Sequence, residues 1–494
     1  MELLSPAGSL DKLKIALEYG ADAVYAGLPD FSLRAKTTEF NASSLEEGIR
    51  YTKKLDKKIY LTLNIFAHND KLKTFQKQIS FLKKTQPHAV IFSDPGLFSL
   101  LREKLPQQEL HLSTQANCTN WKHAEFWFKQ GVKRIILARE LTLKEISEIH
   151  RKVPKLELEI FVHGAMCMSY SGRCLLSLFL TGRDANQGDC AHACRWQYKV
   201  HTSPLPSLLR RGEIPAPLIE GGEETYLPPL PRENRGRVTT SSLAKGGQRG
   251  VFLEEEFRPG EFIPLEEDQH GTYLFSSKDL CMIEYLAKMQ KAGICSLKIE
   301  GRSKTAYYVA AVTRAYRQAL DHPKNEKLIQ ELRQELETIS HREYSTGFYF
   351  NPPRNQQHPL NCPPDKGGEG GCFSLPSLPR RGRRGLFSPL PLYKGKIKRG
   401  SQDYSGHYTS THTVISRVVK YHSHSGLAEI EVLNQIKLND QLEILTPGQI
   451  HQFQVTELFS LQKQPLTIAH GGHKNILLKT SCPLEPDWFL RKKL

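Results

Sequence analysis

A chain of 494 residues, 39% hydrophobic and 24% charged, carries enough apolar material for two or three domains without disulfide staples. Its apolar runs fall short of the roughly 20 residues of a membrane span, and the opening MELLSPAGSLDK lacks the zones of a signal peptide, so a cytoplasmic protein without membrane partners is expected. The net charge of +16 raises RNA as a partner without establishing it, because residues 363–400 alone hold nine Lys and Arg against two Asp and Glu.

In chain order, short apolar or β-branched runs at 2–4, 23–26, 58–64, 89–92, 110–113, 134–137, 156–162 and 296–299 alternate with helical patterns such as 10–19, 44–55, 73–85, 124–130 and 143–152. Such alternation predicts parallel strands joined by crossover helices. Eight units predict an α/β fold of the closed (β/α)8 TIM-like type, with a doubly wound open sheet as the runner-up.

Polar residues follow each run: Ser5 to Gly8, Tyr25 and Gly27, Asn64 and His68, Ser93 to Gly96, Gln115 and Asn117, Arg139 and Glu140, His163 to Cys167, and Glu300 to Arg302. In a barrel all of them gather on the C-terminal rim, where barrel enzymes place their chemistry. Two stretches, 201–250 and 363–400, are rich in Pro, Gly and Arg, lack periodicity and resemble each other, as insertions at tolerant loops would. Residues 411–490 alternate in short strands, predicting a small all-β barrel. The expected domains are 1–200 (seven barrel strands and a cysteine loop), 201–250 (insert), 251–345 (barrel completion), 346–410 (linker with the basic insert) and 411–490.

Cysteine spacing is the strongest chemical signal. Cys167, Cys174, Cys190 and Cys194 read C-x6-C-x15-C-x3-C, directly after the seventh apolar run. Thiols this dense in a chain of intracellular character suit an iron–sulfur cluster or structural zinc better than disulfides, and the missing C-x2-C knuckles disfavour a zinc ribbon. Cys281 is an alternative fourth ligand. Cys118, Cys295 and Cys482 read as ordinary residues, and Cys362 and Cys372 flank insert material.

Three stretches carry a family resemblance: ELLSPAGSLDKLKIALEYGADAVYAG, then FVHGAMCMSYSGRCLLS with GRDANQGDCAHACRW, and then HGTYLFSSKDL with SLKIEGRSKTAYYVA. They resemble the collagenase-like peptidase (U-32) family, and within it the branch of prephenate-dependent tRNA uridine hydroxylases. The resemblance implies a cytoplasmic barrel enzyme that hydroxylates C5 of the wobble uridine of tRNA, with prephenate as the hydroxyl source and an iron–sulfur cluster of the four-iron kind. It also implies tRNA rather than DNA as the nucleic acid and admits a paralogous protein partner. A peptidase and a non-catalytic RNA-binding partner are the alternatives.

Neither H-E-x-x-H nor G-x-S-x-G is present, so a peptidase would have to use His163 with Cys167, a cysteine already in the cluster set. A hydroxylase drawing on an organic diacid needs cations with bidentate geometry. Arg139, Arg302 and Arg173 are the candidates, with Arg183 nearby. A uracil ring needs a flat contact and hydrogen-bonding partners, for which Tyr25, Asn64, Gln115, Asn117 and Tyr170 are of the right type. His163 and Glu300 are the remaining candidates for catalysis.

Overall fold

Each of the eight runs forms a strand in the computed structural model: β1 (Glu2–Ala7), β2 (Ala23–Gly27), β3 (Lys58–Leu63), β4 (Ala89–Phe92), β5 (Leu110–Leu112), β6 (Arg134–Ile136), β7 (Glu157–Ala165) and, as the last barrel strand, β9 (Ser296–Ile299). The structure describes residues 1–33, 39–167, 169–195, 198–201, 251–255, 262–265, 267–268, 271–272, 277–350, 410–472, 475–480 and 482–494. Strands β1 to β7 pair in parallel in sequence order, and β9 pairs in parallel with both β7 and β1, closing the barrel. Burial on both faces makes the strands near-continuous apolar runs.

The crossover helices are α1 (Leu10–Glu18), α2 (Ala42–Lys54), α3 (Asn69–Thr85), α4 (Pro95–Lys104), α5 (Trp121–Lys129) and α6 (Leu143–Lys152). Side-chain caps start most of them. Ser9 accepts from the Lys12 amide, while Asn41 with Ser44 and Thr142 with Glu145 form capping boxes. After the short α7 (Leu176–Thr181) and α8 (Leu286–Lys291), the long α9 (Ala306–Asp321) packs its buried face on β1, where Thr313 Oγ1 lies 2.9 Å from Ser5 Oγ, and α10 (Glu326–Leu336) follows.

An extra strand, β8 (Asp279–Cys281), runs antiparallel to the upper part of β7. Residues 251–272 differ from the expected barrel completion. Val251–Glu255 pairs antiparallel with Tyr198–His201 and with Phe262–Leu265, in a sheet of its own. Apart from His201, the 201–250 insert lies outside the described residues, as do the 363–400 insert, Cys362 and Cys372.

The C-terminal segment forms an antiparallel sheet of eight strands running from His412–His422 to Phe489–Lys493. Its own core includes Ile415, Ile430, Ile444, Leu478 and Leu490. It contacts the outer helices of the barrel. Tyr19 Oη donates to the Leu445 carbonyl at 2.9 Å, and Arg491 Nη1 donates to Tyr307 Oη and Thr338 Oγ1, each at 3.0 Å.

Candidate active site

The interior of the barrel begins with buried charges placed by strands that otherwise read as apolar. Arg134 on β6 donates to Glu2 at 2.5 Å, to Glu159 at 3.1 Å and to Glu157 at 2.9 Å. Glu159 on β7 also accepts from Lys298 on β9 at 2.8 Å, and Glu2 accepts from Tyr60 at 2.8 Å and from Ser296 at 3.0 Å. Burial works to raise the Glu2 carboxyl, but the Arg134 charge and the hydrogen bonds from Arg134 and Tyr60 outweigh it and hold it down to about 2. The same opposition, won by Lys298 and Arg134, keeps Glu159 below the ordinary carboxylate range. These ions are mutually satisfied, as buried charges must be.

Above this floor lies an aromatic layer. The Lys298 ammonium sits 4.3 Å from the Tyr25 ring centre, and the Arg139 guanidinium stacks 3.9 Å from that of Phe161. Tyr25 and Phe161 are buried. Sequence reading missed Lys298, Glu159 and Phe161. A legible signal existed, in charges of opposite sign within the apolar runs SLKI, ELEIF and RII.

Tyr25, Asn64 and Arg302 are brought together, but as a clamp. Arg302 donates to Thr62 Oγ1 at 2.7 Å and also to Ser32 Oγ and the Leu33 carbonyl. Asn64 accepts from the Leu33 amide at 3.0 Å and reaches Ser113 Oγ at 3.4 Å, while Tyr25 Oη donates to the Ile299 carbonyl at 2.8 Å. The guanidinium expected to grip a carboxylate therefore holds the loop after β2, because three protein oxygens already meet its donors. Arg139 is different. It is half-buried at the mouth, donates to the Ala165 carbonyl at 2.7 Å, and has no salt bridge to Glu140, which instead accepts from the Ser171 amide at 2.9 Å and its hydroxyl at 3.0 Å.

His163 departs furthest from expectation. Lys298 pairs with Phe161 but Ile299 pairs with His163, so Val162 is an extra residue in β7. This bulge turns the His163 ring out of the lumen into the layer beneath α9, with ring centres of Tyr344, Tyr316 and Tyr308 at 5.4, 5.5 and 6.0 Å. Burial, with the nearby Lys304 adding to it, pushes its pKa down to about 3, and its Nε2 has no hydrogen-bond partner among the described residues. A neutral ring facing three tyrosines is not placed to handle a proton at the mouth, nor to activate the exposed Cys167. Cys281 pairs with His163 across β8 and β7 and is buried, its thiol pushed up to about 11, so it sits within the wall rather than on the cysteine loop. Glu300 is half-buried at the end of β9, its amide donating to the His163 carbonyl at 2.9 Å.

The cysteine loop is fastened to the rim at several points. Ser171 is held by Glu140 after β6. A Cβ on Gly172, whose φ is +74°, would come within 2.0 Å of the Gln115 carbonyl oxygen after β5, so only glycine passes there. Asn186 donates to the Cys174 carbonyl at 2.9 Å and accepts from the Phe66 amide after β3 at 3.3 Å, and Gln187 also reaches Phe66. Asn117, in the left-handed region at φ +56°, keeps its buried Oδ1 without a partner among the described residues. Arg173 is exposed, and Arg183 pairs with Asp189 at 2.9 Å.

None of the described cysteines forms a disulfide, and the Cys190 sulfur accepts from the His192 amide at 3.4 Å. Among the described residues, however, no three Cys, His, Asp or Glu side chains converge as a metal site. Cys118, Cys295 and Cys482 lie outside this loop, the first two with thiols pushed up to about 12 and 11 by burial.

A family model described as Peptidase family U32 matches residues 8–359, and one described as Peptidase family U32 C-terminal domain matches residues 410–491. The chain is similar to tRNA hydroxylation protein P of Haemophilus influenzae, at 38% identity over 477 residues, covering 96% of this chain and 92% of the relative. It is 36% identical over 491 residues to tRNA hydroxylation protein P of Escherichia coli K12, covering 99% and 96%. A 23S rRNA 5-hydroxycytidine synthase of the same strain is 32% identical over 321 residues, covering 65% of this chain and 39% of that protein.

Proposed function

The chain belongs to peptidase family U32, and on that premise we propose that it is an RNA-modifying enzyme, a tRNA hydroxylase acting on C5 of the wobble uridine. The observation that carries this reading is the likeness to two tRNA hydroxylation proteins P along nearly the whole chain, barrel and C-terminal domain together. Chemistry at the mouth is consistent with it. A base modified at the rim has to be presented out of its stack.

Prephenate is the proposed hydroxyl source. Arg139, 3.9 Å from the Phe161 ring centre and held by the Ala165 carbonyl, is the proposed receiver of a carboxylate of such a diacid. Tyr25 and Asn64 support the surrounding loops, and Gln115, Asn117 and Glu300 border the mouth. The four loop cysteines are proposed to carry an iron–sulfur cluster. Their number, their freedom from disulfides and the amide donated to Cys190 support this. Closure of the loop around a cluster would have to draw together thiols that do not converge among the described residues.

The peptidase reading finds no support at His163 and Cys167, since the imidazole is turned into the wall. Comparing nucleosides of tRNA from a deletion strain and from its complemented parent tests the proposal. Loss of the 5-hydroxyuridine derivatives is expected, and an unchanged profile in a strain without a paralogue refutes it. Iron and labile sulfide in anaerobically purified protein test the cluster independently.

A further inference from the structure

The cysteine loop exposes apolar side chains where a tightly fastened segment would be expected to hide them. Tyr170 is 54% exposed, Leu175 63% and Phe179 73%, with Leu178 beside them at 41%. Four large apolar side chains exposed within ten residues mark an interaction surface rather than scattered surface residues. Slackness does not account for the exposure. Ser177 Oγ donates to the Arg183 carbonyl at 2.7 Å and accepts from the Ala191 amide at 2.9 Å, Leu180 is buried, and Ser171, Gly172 and Asn186 bind the loop to three rim segments of the barrel.

Charge decides which partner fits. Between residues 166 and 183 there is no acidic residue, and Arg173 stands exposed between Tyr170 and Leu175, whereas Arg183 is engaged by Asp189 at 2.9 Å. Aromatic rings on either side of an exposed guanidinium suit unpaired nucleotides, whose bases stack on the rings while a phosphate meets the cation. A protein partner of ordinary composition would not require that bias.

We propose that Tyr170, Leu175 and Phe179, with Arg173 among them, form a stacking platform at the barrel mouth for unpaired bases of the tRNA substrate, next to the base being modified. This rests on the tRNA-modifying reading and deepens it. The platform takes bases flanking the target, which would keep the anticodon loop splayed while one uridine reaches Arg139 and the rim.

The test uses the full-length protein, an unmodified transcript of a tRNA with a wobble uridine, and the Phe179→Ala, Phe179→Leu and Phe179→Trp variants. Stacking on one ring is worth about tenfold in affinity, so Phe179→Ala and Phe179→Leu are each expected to weaken transcript binding about tenfold while Phe179→Trp retains it. Circular dichroism and oligomeric state should stay unchanged in all three. Wild-type affinity in Phe179→Ala overturns the proposal, and so does Leu substituting as well as Trp. A change of oligomeric state with RNA affinity intact would make the surface a self-association face and also overturn it. Failure of the underlying reading looks different: wild-type protein would then bind no transcript, and its deletion would leave tRNA nucleosides unchanged.

Discussion

The floor of the barrel and its mouth hold the same kinds of side chain and use them in opposite ways. At the floor, Arg134, Glu159 and Lys298 are buried, Glu2 is half-buried, and the four answer one another. At the mouth, Arg139 and Arg173 meet solvent, and Tyr170 and Phe179 face outward with no core to enter. A charge satisfied on every side stabilises and is unavailable to a ligand, whereas cations and rings left open on a fastened loop are available. The contrast matches the division of barrels into a stability end and a functional end. It also teaches that residue type does not separate the two classes, since Arg302 reads as a binding residue and is a clamp.

The largest expected effect breaks the floor. Glu159→Ala leaves Arg134 and Lys298 facing each other without their shared carboxylate and should cost about 3–5 kcal/mol in urea unfolding. Phe179→Ala at the mouth should stay within about 0.5 kcal/mol of wild type. Similar losses at both sites would erase the distinction.

Acid should find the floor next. Glu2 has its carboxyl lowered from 4.5 to about 2 in the fold. Its contribution is therefore complete above pH 4.5 and lost as pH falls toward 2, on the order of 3 kcal/mol in all. Glu2→Gln should flatten that part of the stability–pH curve, and an unchanged acid limb would show that Glu2 is not ionised as described.

Arg302 and Arg139 sharpen the comparison at the rim. Replacing Arg302 by Ala removes its bonds to Ser32, Thr62 and the Leu33 carbonyl, which keep their bonds to one another and to the Ala26 carbonyl, and should destabilise by about 2 kcal/mol. Arg139→Ala should leave stability nearly intact and raise the KM for prephenate. Reversed outcomes would restore Arg302 as the carboxylate site.

The smallest stability effects concern the thiols. Cys281→Ala removes a buried side chain and should cost about 1 kcal/mol with iron content unchanged, while Cys174→Ala should abolish iron and labile sulfide. Loss of iron in Cys281→Ala would return that residue to the ligand set.

Much of the scaffold was legible along the chain. The eight apolar runs correspond to the eight barrel strands, and 143–152 coincides with its helix, because periodicity and caps act over a few residues. The density of cysteines after the seventh run was equally plain, as was the rim position of Arg139. The direction in which side chains point was not. One additional residue, Val162, turns His163 from lumen to wall, and nothing local announces a bulge, because its cause is the register with β9. Arg302 was misread for a related reason: its partners Ser32 and Thr62 are 270 and 240 residues away. The sequence by itself determined the elements and the chemistry available to them. Tertiary structure decided which charges cancel in the floor and which stay open at the mouth, since that depends on contacts between strands far apart in the chain.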